Sequence, residues 1–113
     1  MDRNDTIRRI KSALQKRSGK PWSVTGGRGT AWGWITIDVP PARKTFDWAG
    51  TATVAKWGHA SLEERIELAT LLGLAAPIHP QGVSIADSND HYQEYLDRAE
   101  GKQPGKIAQA YWD

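Results

Sequence analysis

A stretch at residues 22–38, with the sequence WSVTGGRGTAWGWITID, constrains the fold of this chain more than any other. Residues 22–25 and 30–39 have the β-branched and aromatic content that is typical of strands. Between them, Gly26-Gly27-Arg28-Gly29 supplies residues that tolerate positive φ. The pattern predicts a β-hairpin whose second strand ends at Pro40-Pro41, because proline has no amide proton to donate to a ladder.

The second strand of this hairpin has two faces to bury. The two-residue period of a strand places Ala31, Gly33, Ile35 and Ile37 on one face and Trp32, Trp34, Thr36 and Asp38 on the other. We expect the isoleucine face to pack on helices. Trp32 and Trp34 then either cover a second small core or form an exposed aromatic platform, and the six tryptophans of so small a protein favour the core.

The segment before the hairpin predicts an amphipathic helix over about residues 5–17. Ile7, Ile10 and Leu14 form its apolar stripe, Asn4 or Asp5 is the expected N-cap, and Gly19 is a stop signal. The opposite side is strongly basic. It is predicted to carry Arg8, Arg9, Lys11, Lys16 and Arg17.

A second helix is predicted to begin after Ser61, where Ser61-Leu-Glu-Glu64 matches a capping box. It is expected to extend to about residue 72 and to end at Gly73. The expected buried stripe consists of Leu62, Ile66, Ala69 and Leu72.

The residues that follow predict a short strand at 83–85 and a third helix capped by Ser88 or Asn89. Gly101 ends that helix, and Glu94 and Arg98 are spaced for an ion pair one turn apart. Its expected core positions are Tyr92, Tyr95, Leu96 and Ala99.

These elements predict one α+β domain spanning residues 1–113, with a small antiparallel sheet built on the tryptophan-rich hairpin and packed with about three helices. The expected parts are a basic helix plus hairpin at 5–39, an irregular segment with a possible strand at 40–60, an acidic helical part at 61–100 and a tail at 101–113. The aromatic pair Tyr111-Trp112 suggests that the tail docks on the domain.

Composition narrows the class of protein but not its activity. The absence of cysteine excludes disulfides and thiolate chemistry, and the polar first residues and lack of a long apolar run predict a cytoplasmic protein that does not enter a membrane.

Charge is divided along the chain: residues 1–56 carry 11 Lys or Arg and 4 Asp or Glu, whereas residues 57–113 carry 4 and 9. This division either creates a basic face for polyanions or lets the two halves attract each other, within the fold or across a dimer.

Two groups of residues are candidates for binding. Arg28 and the glycines beside it form either a plain hairpin turn or a phosphate contact, and Trp32 with Trp34 forms a candidate aromatic surface for stacking bases. The candidate nucleic-acid or phosphate contacts are Arg8, Arg9, Lys11, Lys16, Arg28, Arg43 and Lys44.

Catalytic and metal chemistry is not indicated. The histidines, His59, His79 and His91, lie in different segments without a recognised metal spacing, and we expect His91 to be a solvent-exposed or capping residue. The serines lack a nucleophile context, and Asp38 and Asp47 have no evident catalytic partner. We therefore predict no catalytic residue, no metal and no cofactor.

Several segments together resemble a group of small bacterial and mobile-element proteins of uncharacterised function. They are the apolar stripe of the first helix, KPWSV at 20–24, GGRG at 26–29, WGWITI at 32–37, PP at 40–41, QGVSI at 81–85 and YWD at 111–113. The first 40 residues are also similar to a helix-plus-hairpin module of large polyvalent phage and plasmid proteins. The resemblance implies plasmid, phage or genomic-island biology. The leading hypothesis is a non-enzymatic nucleic-acid-binding accessory module, and the alternative is a protein-interaction or inhibitor module, with a dimer as one form of it.

Overall fold

The computed structural model describes residues 2–39, 61–105 and Ile107. These residues form three helices and a three-stranded sheet, which confirms the α+β fold. The elements are α1 (Arg3–Ser18), β1 (Ser23–Gly26), β2 (Ile35–Asp38), α2 (Leu62–Leu71), β3 (Val83–Ile85) and α3 (Asn89–Ala99). The irregular segment at 40–60 with its possible strand, and the aromatic pair of the tail, lie outside the described residues. Of the helices that are described, none has the length and apolarity needed to cross a membrane.

The sheet has the order β1-β2-β3, and both strand pairs are antiparallel. β2 is its central strand, with Val24 of β1 opposite Ile37 and Ile85 of β3 opposite Ile35. Ile35 and Ile37 are fully buried, so the predicted isoleucine face is confirmed. α1 contacts β1 and α3, and α3 contacts β3, which places both helices against the sheet.

The core between these elements is mainly aliphatic. Ile10 and Leu14 of α1, Leu68 of α2 and Leu96 of α3 are all fully buried. Among the tryptophans that the structure describes, only Trp22 belongs to this core. The expectation that tryptophans supply the bulk of the core is therefore wrong for Trp32 and Trp34.

Side-chain caps fix where the helices begin. α1 begins earlier than predicted because Asp2, rather than Asn4 or Asp5, is its N-cap and accepts a 2.8 Å hydrogen bond from the Asp5 amide. The capping box at Ser61 is confirmed. Ser88 caps α3 through the amide of His91 at 3.1 Å.

The face of α2 that is buried differs from the predicted one. Of its expected stripe, Ala69 and Leu72 are buried, but Leu62 is 57% exposed and Ile66 is 46% exposed. The buried residues of α2 are instead Glu64, Leu68 and Ala69, and the Nε of Arg65 donates a 2.8 Å hydrogen bond to the carbonyl of Ile78.

The connection between β1 and β2 is longer than the predicted four-residue turn. The second strand begins at Ile35 instead of residue 30, and a 3-10 turn occupies Gly29–Ala31. Gly27 explains why the chain turns here: a Cβ at this position would lie 1.9 Å from the Ala31 carbonyl oxygen, so only glycine permits the approach. Gly29 begins the turn with a φ of 58°.

Candidate nucleic-acid interface

Arginines hold α1 to the rest of the fold at both of its ends. At the C-terminal end, Nη1 of Arg17 lies 2.8 Å from the carbonyl oxygen of Leu71 and 2.7 Å from that of Ala99. It also contacts the carbonyl of Arg98 at 3.1 Å. These carbonyls belong to the last turns of α2 and α3, where a cation also offsets the helix dipole. Arg17 therefore has a structural role, although it is exposed on the basic side of α1 as predicted.

At the N-terminal end, Arg3 holds the connection between β1 and β2. Its Nη1 donates 2.9 Å hydrogen bonds to the carbonyls of Gly27 and Trp32. Its Nε and Nη2 donate to Oδ1 of Asn4 at 3.1 and 2.8 Å. The guanidinium lies over the indole of Trp32, with Cζ 3.4 Å from the ring centroid.

A second contact fixes the same connection from the side of α3. The hydroxyl of Tyr92 donates a hydrogen bond to the carbonyl of Gly33. Burial raises the pKa of Tyr92 above its ordinary value, and the nearby carboxylate of Asp87 raises it further, whereas Arg3 acts in the opposite direction. The side chain of Asp87 also packs against Gly33, where a Cβ would lie 2.1 Å from Cγ. The Tyr92 phenol therefore stays protonated and able to donate.

The candidate cations of α1 lie on its exposed side. Arg8, Arg9, Lys11 and Lys16 are all exposed. The only acid within this part of α1 is Asp5, which pairs with Arg8. An exposed pair of this kind contributes about 0–1 kcal/mol, so a phosphate can replace the carboxylate at little cost.

An open groove of about 790 Å³ runs beside three of these cations, all except Lys11. Its residues are Arg8, Arg9, Ser12, Ala13, Lys16, Arg17, Glu100 and Lys102. Among the described residues of the groove Glu100 is the one acid, and it already pairs with Lys102 at 3.4 Å. The groove is therefore strongly positive, and Lys102 is a member that the sequence did not indicate.

The remaining candidate residues are more scattered. Arg28 is exposed in the connection, beside the Gly27 carbonyl that Arg3 binds. Arg43 and Lys44 lie outside the described residues and stay predictions.

Trp32 and Trp34 do not share a strand face, because both precede β2. Trp32 is 56% exposed, whereas Trp34 is half-buried and lines a second groove of about 970 Å³. That groove is bounded by β2, β3 and the loop before β3, and it includes Tyr95, Pro77 and Ile78. The two tryptophans thus belong to different surfaces.

The two described histidines differ in their surroundings, and His59 lies outside the described residues. His91 is buried on α3, so the expectation of solvent exposure was wrong. It lies about one helical turn after Ser88, on the buried face of α3. Nδ1 of His79 accepts a 3.0 Å hydrogen bond from the Gln81 amide. Within residues 2–39 and 61–105, no three metal-ligating side chains are grouped to hold an ion.

Comparison with known proteins identifies no relative of this chain. No protein-family model, curated protein or solved structure matches it. The interpretation of the basic groove therefore depends on the contacts and charges described above.

Proposed function

We propose that this protein is a non-enzymatic nucleic-acid-binding module that contacts phosphates through the exposed side of α1. The observation that carries the proposal is the basic groove beside this helix, in which Arg8, Arg9, Lys16 and Lys102 surround one already paired acid. Phosphates are the anions that such a linear array of cations suits best, because a nucleic-acid backbone repeats its charge along one direction.

The proposal is supported by a difference between two groups of cations: some hold the fold together, and others project from α1. Arg3 and Arg17 bind backbone carbonyls, and Lys20 lies 2.7 Å from Oε1 of Glu67. These three hold elements of the fold together. Arg8, Lys11 and Lys16 instead project from a helix whose opposite side is anchored in the core, so they present charge on a rigid support.

The proposed contacts do not confer sequence preference. Hydrogen bonds and ion pairs to phosphate position a protein on nucleic acid, whereas sequence is recognised at base edges. We therefore expect affinity that varies little with base sequence and strongly with salt. A role in mobile-element biology remains a prediction from the resemblance.

Fluorescence anisotropy with a labelled oligonucleotide tests the proposal at about 50 and about 200 mM salt. Lys16→Ala should weaken binding several-fold at the lower salt and reduce the slope of log affinity against log salt by about 0.7–0.9, since one phosphate contact is lost. Arg8→Ala should do the same.

Lys20→Ala is the matched control, because it also removes one positive charge but lies in an ion pair with Glu67. It should leave the salt slope unchanged. Failure of the unmodified protein to bind at the lower salt, or an equal effect of Lys20→Ala and Lys16→Ala, would contradict the proposal.

The second groove favours one alternative, a protein-interaction or inhibitor module. Trp34, Tyr95 and Pro77 line a concave surface with aromatic and apolar character, which is typical of the centre of a protein interface. In this case Trp34→Ala would abolish partner binding or a dimer detected by light scattering, while Lys16→Ala would have no effect.

A further inference from the structure

We infer that Trp32 is a stacking platform for an unpaired base and that the module prefers single-stranded nucleic acid to duplex. This inference rests on the proposed function, since it adds a base contact to the phosphate contacts of α1. The first observation is that Trp32 is 56% exposed although its main chain is held: its amide donates to the Gly29 carbonyl and its carbonyl accepts from Arg3.

The indole of Trp32 is supported from beneath by Arg3. The guanidinium covers one ring face at 3.4 Å from the centroid, and it is itself bound to two carbonyls and to Asn4. The exposed area of the ring therefore lies on its edges and on the face away from Arg3. Because the side chain is already ordered, a base that stacks on this face does not pay for ordering it.

The platform is continuous with the basic side of α1. Asn4, which accepts two hydrogen bonds from Arg3, begins a row of residues spaced four apart that continues through Arg8 and Ser12 to Lys16. Residues at this spacing are neighbours on a helix surface. The row extends about 18 Å along α1 and leads from the platform into the basic groove.

This arrangement matches the chemistry of a single strand. Proteins that bind single strands combine a positive track for the backbone with aromatic side chains on which bases stack. In a duplex, both faces of each internal base are covered by its neighbours, so stacking on Trp32 would first require unpairing that costs a few kcal/mol. The phosphates of either form could still reach the cations of α1.

The charges around Trp32 favour nucleic acid over a protein as the occupant. Arg3 lies against the ring, and Arg28 is exposed in the same connection. An apolar protein surface would have to desolvate these guanidinium groups, whereas a nucleotide supplies a phosphate beside its base.

The test compares Trp32→Ala, Trp32→Leu and Trp32→Phe in binding to a single-stranded oligonucleotide and to the duplex of the same sequence. We expect Trp32→Ala and Trp32→Leu to weaken single-strand binding about tenfold, and Trp32→Phe to retain most of it because it keeps an aromatic face. Duplex affinity should change less than about twofold, and the salt slope should be unchanged, because no phosphate contact is removed.

An abasic oligomer completes the experiment. The unmodified protein should bind it about tenfold more weakly than the normal single strand. Trp32→Ala should bind the two equally, because the variant has no platform for a base to occupy. Thermal unfolding of each variant, followed by circular dichroism, shows whether the fold is retained.

The outcomes separate this inference from the function on which it rests. Equal single-strand binding by Trp32→Ala and the unmodified protein overturns the platform and leaves the phosphate contacts standing. An equal loss for single strand and duplex also overturns it, because a general effect on the fold or on phosphate binding would then explain the result. Absence of binding to either nucleic acid at low salt overturns both proposals.

Discussion

An arginine lies at each end of α1, but the two arginines, Arg3 and Arg17, have different roles. Arg17 lies among carbonyls at the C-termini of α2 and α3, and nothing aromatic covers it among the contacts described. Arg3 also binds two carbonyls, but it lies over an indole that remains largely exposed. The contacts of Arg17 thus join elements of the fold, whereas Arg3 also supports an exposed aromatic ring.

The comparison shows that exposed charge and available charge are different properties. Arg17 is an exposed residue, yet its guanidinium is engaged with main-chain oxygens of two helices. Lys11 and Lys16, on the same helix, project away from the core. A count of basic residues therefore overstates the surface that can meet a polyanion.

The largest expected effect is a loss of stability when Arg17, at the C-terminal end of α1, is replaced. Arg17→Ala should lower the free energy of unfolding by about 2 kcal/mol, because hydrogen bonds from a charged donor to two helix ends are lost. Urea denaturation measures the change. Lys11→Ala, which removes the same charge from the exposed side, should stay within about 0.5 kcal/mol of the unmodified protein. Equal effects of the two variants would show that Arg17 has no special structural role.

A smaller loss of stability is expected when Arg3, at the N-terminal end of α1, is replaced. Arg3→Ala should lower the free energy of unfolding by about 1 kcal/mol, because it releases one connection instead of separating two helices. Hydrogen exchange should accelerate at the amide of Gly27, which bonds to Trp34, and at the amide of Trp32, which bonds to Gly29. The amides of α2 should keep their protection. A loss of stability as large as that of Arg17→Ala would remove the distinction between the two ends.

Local rules predict the elements of this fold well. The capping box at Ser61, the Ser88 cap and the Gly19 stop each act within one helical turn, so neighbouring residues determine them. The alternation of Ile35 and Ile37 fixes the buried face of β2 for the same reason. The buried face of α2 includes Glu64, and Arg65 beside it reaches the Ile78 carbonyl 13 residues away, a contact that the periodicity of the helix does not reveal.

The candidate site was harder to predict because its key contacts are distant in sequence. Arg3 reaches residues 24 and 29 positions away, and Arg17 reaches residues more than 50 positions away. One local signal was present: Arg3, Ile7, Ile10, Leu14 and Arg17 follow one another at helical spacing, so the arginines extend the apolar stripe at both ends. Charged residues in such positions are expected to contact neighbouring elements of the fold.

The central claim is that nucleic acid binds along the exposed side of α1 and reaches Trp32. Titration of the isotope-labelled protein with a short single-stranded oligonucleotide, followed by amide NMR spectra, tests it most directly. We predict that the shifted amides cluster in residues 3–17, 27–33 and 100–102, while those of α2 and the sheet's β3 strand stay in place. Shifts concentrated in α2 or in the groove beside Trp34, or no shifts at all at low salt, would contradict the account.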